Sequence, residues 1–221
     1  SLYYEKRGAW GDSSRPILLL HGNGESMEVF DEATKPLYEN FAFLALDSRG
    51  HGKSQKPCGI SYELMASDVY SVLEHEGIDS CDIVGFSDGA ITAFLLAMKF
   101  SHKINKIIAI GGNANPKGLK FSVRTEIRKD KLGLEKQGDA FGVALCNLML
   151  HQPNISFKEL AKIKAQTVIV VGSKDMVKHS HTKKIAKSIP NSKLIVTKGA
   201  GHFIPQDRPN ELREIILHEL G

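Results

Sequence analysis

Short apolar stretches alternate with longer segments of helical period along the chain, and this alternation restricts the possible fold more than any other feature of the sequence. Several of the stretches are almost continuous runs of isoleucine, leucine and valine, which is typical of strands buried on both faces. The alternation predicts an α/β fold, with a mostly parallel sheet flanked by helices. The predicted strands are residues 3–7, 15–22, 41–47, 81–87, 104–112, 167–173 and 193–201.

The segments between these stretches carry helical signals. Ser61 is a suitable N-cap for a helix that should end at Gly77, and residues 88–100 are apolar nearly all round, which predicts a buried helix. Residues 156–163 begin with an S-x-x-E capping box, and a final helix is expected from about Arg208 to Leu220. One face of the helix after Ser61 should be buried through Tyr62, Met65, Val69, Val72 and Leu73.

A chain of 221 residues is expected to form a single domain, residues 1–221. The alternation breaks once, in residues 117–155, where two helix-like pieces, 122–132 and 139–150, are separated by the sequence GLEKQG. We interpret this segment as a cap inserted over the edge of the sheet, a subdomain rather than a second domain.

Composition limits the partners and the compartment. The formal net charge is +4, and lysines cluster at 117–136 and 183–198, which indicates solvated faces or steering of an acidic partner; nucleic-acid binding is not expected. Three cysteines without a C-x-x-C spacing favour a reducing compartment, so we expect a cytoplasmic protein. No apolar stretch approaches the roughly 18 residues that a membrane-spanning helix needs. The sequence does not predict an oligomeric state.

The sequence DIVGFSDGAITAF, residues 82–94, places Ser87 between two glycines, after an apolar strand and before an apolar helix. G-x-S-x-G alone arises by chance in roughly one of seven such chains. The strand–turn–helix context is more specific, because a serine at such a strained corner has its hydroxyl exposed at the carboxyl edge of the sheet. Ser87 is therefore predicted as a nucleophile.

A serine hydroxyl needs a histidine base that is oriented by a carboxylate. His202 lies in a glycine-rich loop after the last predicted strand, and Asp175 follows the preceding strand, so both should lie at the edge that carries Ser87. The strand before the cap ends in GGNANP and has no acid to offer. His179 and His181 stand near Asp175 but lack a further ligand signature, so we predict no metal and no cofactor.

Backbone N–H groups of Asn23, in the loop HGNGES, and of Asp88, at the start of a helix, are predicted to form an oxyanion hole. His21 should brace this loop. The side chain of Asp88 is expected to point to solvent and to interact with the helix N-terminus.

The order Ser87, Asp175, His202 resembles that of the α/β-hydrolase superfamily, as do the stretches HGNG, LDSRGHGKS and VGSKDMV. The resemblance implies an eight-stranded sheet with one antiparallel strand near the N-terminus, of which we count seven strands. It also implies that Arg49 and His51 are structural. Serine at the nucleophile position disfavours the dehalogenase and epoxide-hydrolase branches, which use aspartate.

We therefore expect a serine hydrolase that cleaves a small carboxylic ester through an acyl-enzyme intermediate. A thioesterase, lactonase or C–C bond hydrolase of the same fold is the first alternative, and a non-catalytic protein that binds a ligand or partner is the second. The acyl pocket is expected to be lined by Phe86, Leu145, Leu148, Met149 and Phe203.

Overall fold

The computed structural model describes residues 1–11, 15–56 and 58–221, and its centre is a seven-stranded sheet. All seven predicted strands are confirmed, with their ends shifted by at most a few residues. The strands are β1 (Tyr3–Gly8), β2 (Ile17–Leu20), β3 (Ala42–Asp47), β4 (Cys81–Phe86), β5 (Ile104–Ile110), β6 (Gln166–Gly172) and β7 (Ser192–Thr197).

The strand order is β1-β3-β2-β4-β5-β6-β7. Only β1 runs antiparallel to its neighbour, with Tyr3 opposite Asp47, and the remaining strand pairs are parallel. The chain leaves β2 towards β3 on one side and then crosses to β4 on the other. The carboxyl ends of β2 and β4 therefore flank the point where the winding direction reverses, which is the usual ligand position in such sheets.

Helices cover both faces of the sheet. Tyr62, Phe94 and Ile185 pack on one face, and Ala33 and Ile216 pack on the other. The helices are α1 (Asp31–Thr34), α2 (Tyr62–His75), α3 (Asp88–Lys99), α4 (Phe121–Gln137), α5 (Ala140–His151), α6 (His179–Ser188), α7 (Ile204–Asp207) and α8 (Pro209–Leu220).

The helix signals read from the sequence act as expected. The Ser61 hydroxyl accepts the Leu64 N–H at 3.1 Å, and Gly77 has a φ of 63° just beyond the end of α2. The capping box forms too, because Ser156 and Glu159 each accept the other's backbone N–H. It begins only a short 3-10 helix, Glu159–Lys162, rather than a full helix.

The helices of residues 117–155 differ from the expectation at one point. The sequence predicts that residues 133–138 separate two helical pieces, but α4 continues through the first five of them to Gln137, and the break lies at Gly138 and Asp139. A glycine inside a helix costs only about 1 kcal/mol, and Leu134 packs on the small core that α4 shares with α5. That packing outweighs the unfavourable effect of Gly133.

No helix within the described ranges is both long enough and apolar enough to cross a membrane.

Candidate active site

Ser87 occupies the sharp corner between β4 and α3. It is the one residue other than glycine with a positive φ among the described residues, with φ 52° and ψ −111°. Its backbone N–H donates to the Ile110 carbonyl of β5 at 2.8 Å, which anchors the corner to the sheet. Backbone strain of this kind persists only where the surrounding structure holds the residue in place.

The second glycine of the G-x-S-x-G sequence has a steric role. A Cβ at Gly89 would collide with the backbone carbonyl and side chain of Leu20 in β2. Because Gly89 has no side chain, the first turn of α3 can lie directly against β2. The corner therefore lies beside the loop that follows β2, which is the predicted oxyanion loop.

Loops after β6 and β7 bring the predicted acid and base together. The Lys174 N–H donates to the Ala200 carbonyl at 2.9 Å, so the two loops are hydrogen-bonded to each other at the carboxyl edge of the sheet. Asp175 is fully buried, and its Oδ1 accepts the Val177 N–H at 2.9 Å. This bond fixes the carboxylate towards His202.

The three predicted catalytic side chains form a continuous chain of contacts. His202 Nδ1 lies 2.9 Å from Asp175 Oδ1, and His202 Nε2 lies 3.0 Å from Ser87 Oγ. With the ring proton on Nδ1, the imidazole donates to Asp175 and its Nε2 accepts the hydroxyl proton of Ser87. The structure thus brings together residues that are 115 positions apart in the sequence.

Gly111, at the end of β5, makes room for the imidazole, and the sequence reasoning did not identify it. It has a φ of 64°, and a Cβ at this position would lie 2.7 Å from His202 Cε1 and 2.9 Å from His202 Nδ1. Any larger residue would occupy the volume of the ring. The sequence signal for this role is the glycine pair, Gly111 and Gly112, directly after β5.

The loop after β2 is braced by His21, as expected. The ring is fully buried: its Nε2 accepts the Ser48 N–H at 2.9 Å, and its Nδ1 lies 2.7 Å from the Gly22 carbonyl. Burial is the main reason that the pKa of His21 is lowered to about 4, so the ring is neutral at physiological pH. Glu25 accepts the Gly22 N–H at 3.0 Å, and burial raises the pKa of this carboxyl.

The expectation for the Asp88 side chain is wrong. It does not point to solvent: Asp88 is only 3% exposed, and its carboxylate accepts hydrogen bonds from Asn23 Nδ2 at 2.9 Å and from the Tyr62 hydroxyl at 2.7 Å. Two neutral donors on neighbouring elements replace the water that a surface carboxylate would have. Burial raises the pKa of Asp88 despite these bonds, and it is also the main reason that the pKa of Tyr62 lies well above its usual value.

Other residues that the sequence singled out make contacts within the protein. His181 Nε2 accepts the Ala114 N–H at 3.0 Å, and the Nε2 of His179 lies 3.2 Å from the Ser173 carbonyl. Arg49 forms a two-point contact with Asp68, at 2.6 and 2.7 Å. The His51 ring is buried and packs on His21 and on Phe141 of α5.

Among the residues expected to line a pocket, Phe86 and Phe203 lie against the His202 ring, with centroid distances of 5.1 and 5.5 Å. Phe203 is 47% exposed and so marks the open side of the site. Leu148 is instead buried in the core on the face of the sheet that α2, α3 and α6 cover. Met149 packs on the core shared by α4 and α5.

Comparisons with known proteins agree with this architecture. A family model described as the alpha/beta hydrolase fold matches residues 15–139. The AB hydrolase superfamily protein YisY of Bacillus subtilis is 26% identical, with 91% of this chain and 90% of that protein covered. The sn-1-specific diacylglycerol lipase ABHD11 of Mus musculus is 22% identical, covering 96% of this chain and 83% of that protein. The solved structure of an esterase from Thermogutta terrifontis is 22% identical with a TM-score of 0.83, covering 99% of this chain and 92% of that one.

Proposed function

This chain belongs to the α/β-hydrolase family and is a hydrolytic enzyme, and from that premise we propose that it is a serine hydrolase that cleaves a small carboxylic ester. The proposal rests on one observation above all. The Ser87 hydroxyl lies 3.0 Å from a histidine nitrogen whose other ring nitrogen is held by a buried carboxylate. This is the arrangement that activates a serine for acyl transfer.

The proposed reaction proceeds in two steps. His202 Nε2 takes the proton of Ser87 as Oγ attacks the ester carbonyl carbon, and the imidazolium returns that proton to the leaving alcohol when the C–O bond breaks. Water then loses a proton to His202 and attacks the acyl-enzyme, and the acid leaves as the proton returns to Ser87. Asp175 stabilises the imidazolium in both steps.

The negative charge that develops on the carbonyl oxygen needs hydrogen-bond donors. We assign these to the backbone N–H groups of Asn23 and Asp88. The first N–H groups of a helix have no intrahelical acceptor, so that of Asp88, the first residue of α3, is available. Each donor in such a site contributes a factor of roughly 10²–10³ in rate. Neither step requires a metal or a cofactor.

Residues 117–155 are proposed as a cap within a single domain, residues 1–221. Support comes from the way in which α4 and α5 pack on each other around a small core of Leu119, Ile127 and Cys146, to which Val177 of the loop after β6 also contributes. The pair is also attached to the rest of the protein beside the site. Phe141 of α5 packs on Gly50 and on the His51 ring, in the loop after β3.

A short-chain p-nitrophenyl ester tests the function. Wild-type protein should release an initial burst of nitrophenol followed by steady turnover, and Ser87→Ala should remove both. Ser71→Ala, at an exposed position of α2, is the matched control and should behave as wild type. Turnover at the wild-type rate in Ser87→Ala would exclude the proposed nucleophile.

A substrate panel and a covalent probe separate the alternatives. The ester proposal expects the highest kcat/KM on small esters, and higher values on acyl-CoA thioesters, lactones or vinylogous diketones would reassign the substrate within the same chemistry. The name of the mouse relative, a diacylglycerol lipase, supports an ester. A fluorophosphonate should label Ser87; an intact protein without label would favour a binding protein.

A further inference from the structure

The carboxylate of Asp88 joins two parts of the site that the proposed reaction needs at a fixed separation. Asp88 follows the nucleophile directly and contributes the first N–H of α3. Its side chain turns back over the loop after β2 and accepts a hydrogen bond from the Asn23 amide at 2.9 Å. The two residues assigned as oxyanion donors through their backbones are thus linked to each other through their side chains.

We propose that Asp88 is a positioning residue, whose carboxylate holds Asn23 and thereby the backbone N–H of Asn23 at the correct distance from the N-terminus of α3. This inference rests on the proposed function. It assigns to the acidic side chain a task that is separate from that of its own backbone N–H.

The anchor of this link is rigid. The start of α3 is held by the Ser87 N–H bond to Ile110 and by the close packing of Gly89 on β2. Tyr62, which is 1% exposed, donates to the other carboxylate oxygen at 2.7 Å and so fixes the orientation of the Asp88 side chain. A carboxylate that is held at both oxygens can orient a partner, whereas a freely rotating one cannot.

The other end of the link is Asn23, in the loop after β2, and this loop needs bracing. Asn23 is half-buried, and the following residue, Gly24, is exposed, with a φ of 74° at the tip of the loop. His21 and Glu25 hold the loop through the carbonyl and N–H of Gly22, one residue before Asn23. The bond to Asp88 extends this bracing to the residue that carries the donor.

Burial of the Asp88 carboxylate beside the proposed oxyanion hole is electrostatically unfavourable, which indicates that this side chain has a function. A buried carboxylate next to a developing oxyanion opposes negative charge there, and burial without compensation is unfavourable by itself. An apolar residue at position 88 would avoid both penalties and would still supply the backbone N–H. What it could not supply is an acceptor for Asn23 and Tyr62.

A double-mutant cycle tests the link, because two residues that act through one contact lose it only once. Asn23→Ala keeps the backbone N–H and removes only the hydrogen bond to Asp88. Because Asn23 lies half-buried in a loop, this variant should fold as wild type, whereas Asp88→Ala leaves a cavity in the interior. We expect each single variant to lower kcat on the p-nitrophenyl ester by about 10- to 100-fold with KM changed less than about twofold. The double variant should be no slower than the slower single variant.

Two further variants separate positioning from structural support. Asp88→Asn should recover most of the kcat lost in Asp88→Ala, since its amide oxygen can accept from Asn23 while its N–H donates to Tyr62. Asp82→Ala is the matched control: Asp82 is also buried and also accepts two hydrogen bonds, from Asn105 and Lys106, but at the opposite edge of the sheet. It should lower Tm without lowering kcat.

The outcomes distinguish this inference from the proposed function. If the wild-type protein neither turns over esters nor reacts with a fluorophosphonate, the proposed function fails. If the wild-type protein does both but the Asn23→Ala and Asp88→Ala losses multiply, or if Asn23→Ala has wild-type kcat, the positioning role of Asp88 is wrong and the serine chemistry stands.

Discussion

The imidazole of His202 lies where a side chain of residue 111 would be. A Cβ at Gly111 would come within 2.7 Å of the ring, and the φ of 64° at this position is one that residues with a side chain rarely adopt. The Nδ1 end of this imidazole is therefore held by Asp175 and lies close to the bare backbone at the end of β5. Its distance to Ser87 depends on both.

Gly111→Ala should displace the imidazole and lower kcat by about 100-fold, because small misplacements of reacting groups are costly in rate. It should also lower stability by about 1–3 kcal/mol through backbone strain. Gly77→Ala is the control, since Gly77 has a φ of 63° but nothing within 4 Å of its Cβ position. It should lose similar stability and keep wild-type kcat. Equal kcat in the two variants would contradict the steric argument.

Replacement of Ser87 by glycine should stabilise the protein relative to replacement by alanine. Ser87 has a φ of 52° and a ψ of −111°. Glycine relieves about 1–3 kcal/mol of strain there, and the greater freedom of the unfolded chain offsets about 0.4–1 kcal/mol of the gain. Calorimetry should give Ser87→Gly a Tm about 2–4 °C above that of Ser87→Ala, with both inactive.

Ser71 is the control for that comparison, because there we expect the glycine variant to have the lower Tm. It lies inside α2, an ordinary helix, where glycine is less favourable than alanine by about 1 kcal/mol. Ser71→Gly should therefore melt below Ser71→Ala. If Ser87→Gly also melts below Ser87→Ala, the corner at residue 87 is not strained.

His181 should contribute to loss of stability in acid. Desolvation, with repulsion from Lys178 and Lys184, lowers its pKa in the folded protein from 6.5 to about 4. The unfolded chain therefore binds this proton from about pH 6.5 downwards while the folded protein does not, so stability falls as the pH falls from 6.5 to 4 and levels off below. The loss is at most about 3 kcal/mol.

Urea unfolding between pH 7.5 and 4.5 measures this effect. His181→Gln removes the titration and keeps an acceptor for the Ala114 N–H, so its free energy of unfolding should depend less on pH than that of wild type. His218→Gln, at a side chain that is 81% exposed, should leave the pH dependence unchanged. A wild-type slope in His181→Gln would show that this histidine is not held neutral.

Phe141 should hold the proposed cap, residues 117–155, to the loop after β3. Its ring packs on Gly50 and on His51, so Phe141→Ala should lose about 1–2 kcal/mol of local stability. Hydrogen exchange should then become about tenfold faster in α4 and α5 and stay unchanged in β4 and β5. Phe121→Ala, in the same cap but 71% exposed, should leave exchange unchanged. Identical exchange in both variants would count against this contact as the attachment.

The strands and the edge that carries the site could be predicted from local sequence. Short runs of isoleucine, leucine and valine are typical of parallel strands, because helices on both sides of a parallel sheet bury both faces of each strand. The carboxyl ends of such strands meet at one edge, so residues that follow separate strands, such as Ser87, Asp175 and His202, are expected to be neighbours there. No knowledge of side-chain packing is needed for that step.

Tertiary structure alone decided the direction of side chains whose partners lie on other elements. A residue in the first turn of a helix can face water or a neighbouring loop, and Asp88 faces Asn23 and Tyr62, which are 65 and 26 positions away. The space that Gly111 leaves for His202 and the continuation of α4 through Gly133 have the same origin. Hydrophobic periodicity and helix propensity describe how a segment interacts with water and with its own backbone. The direction of Asp88, the space at Gly111 and the length of α4 depend instead on atoms that only the completed fold brings together.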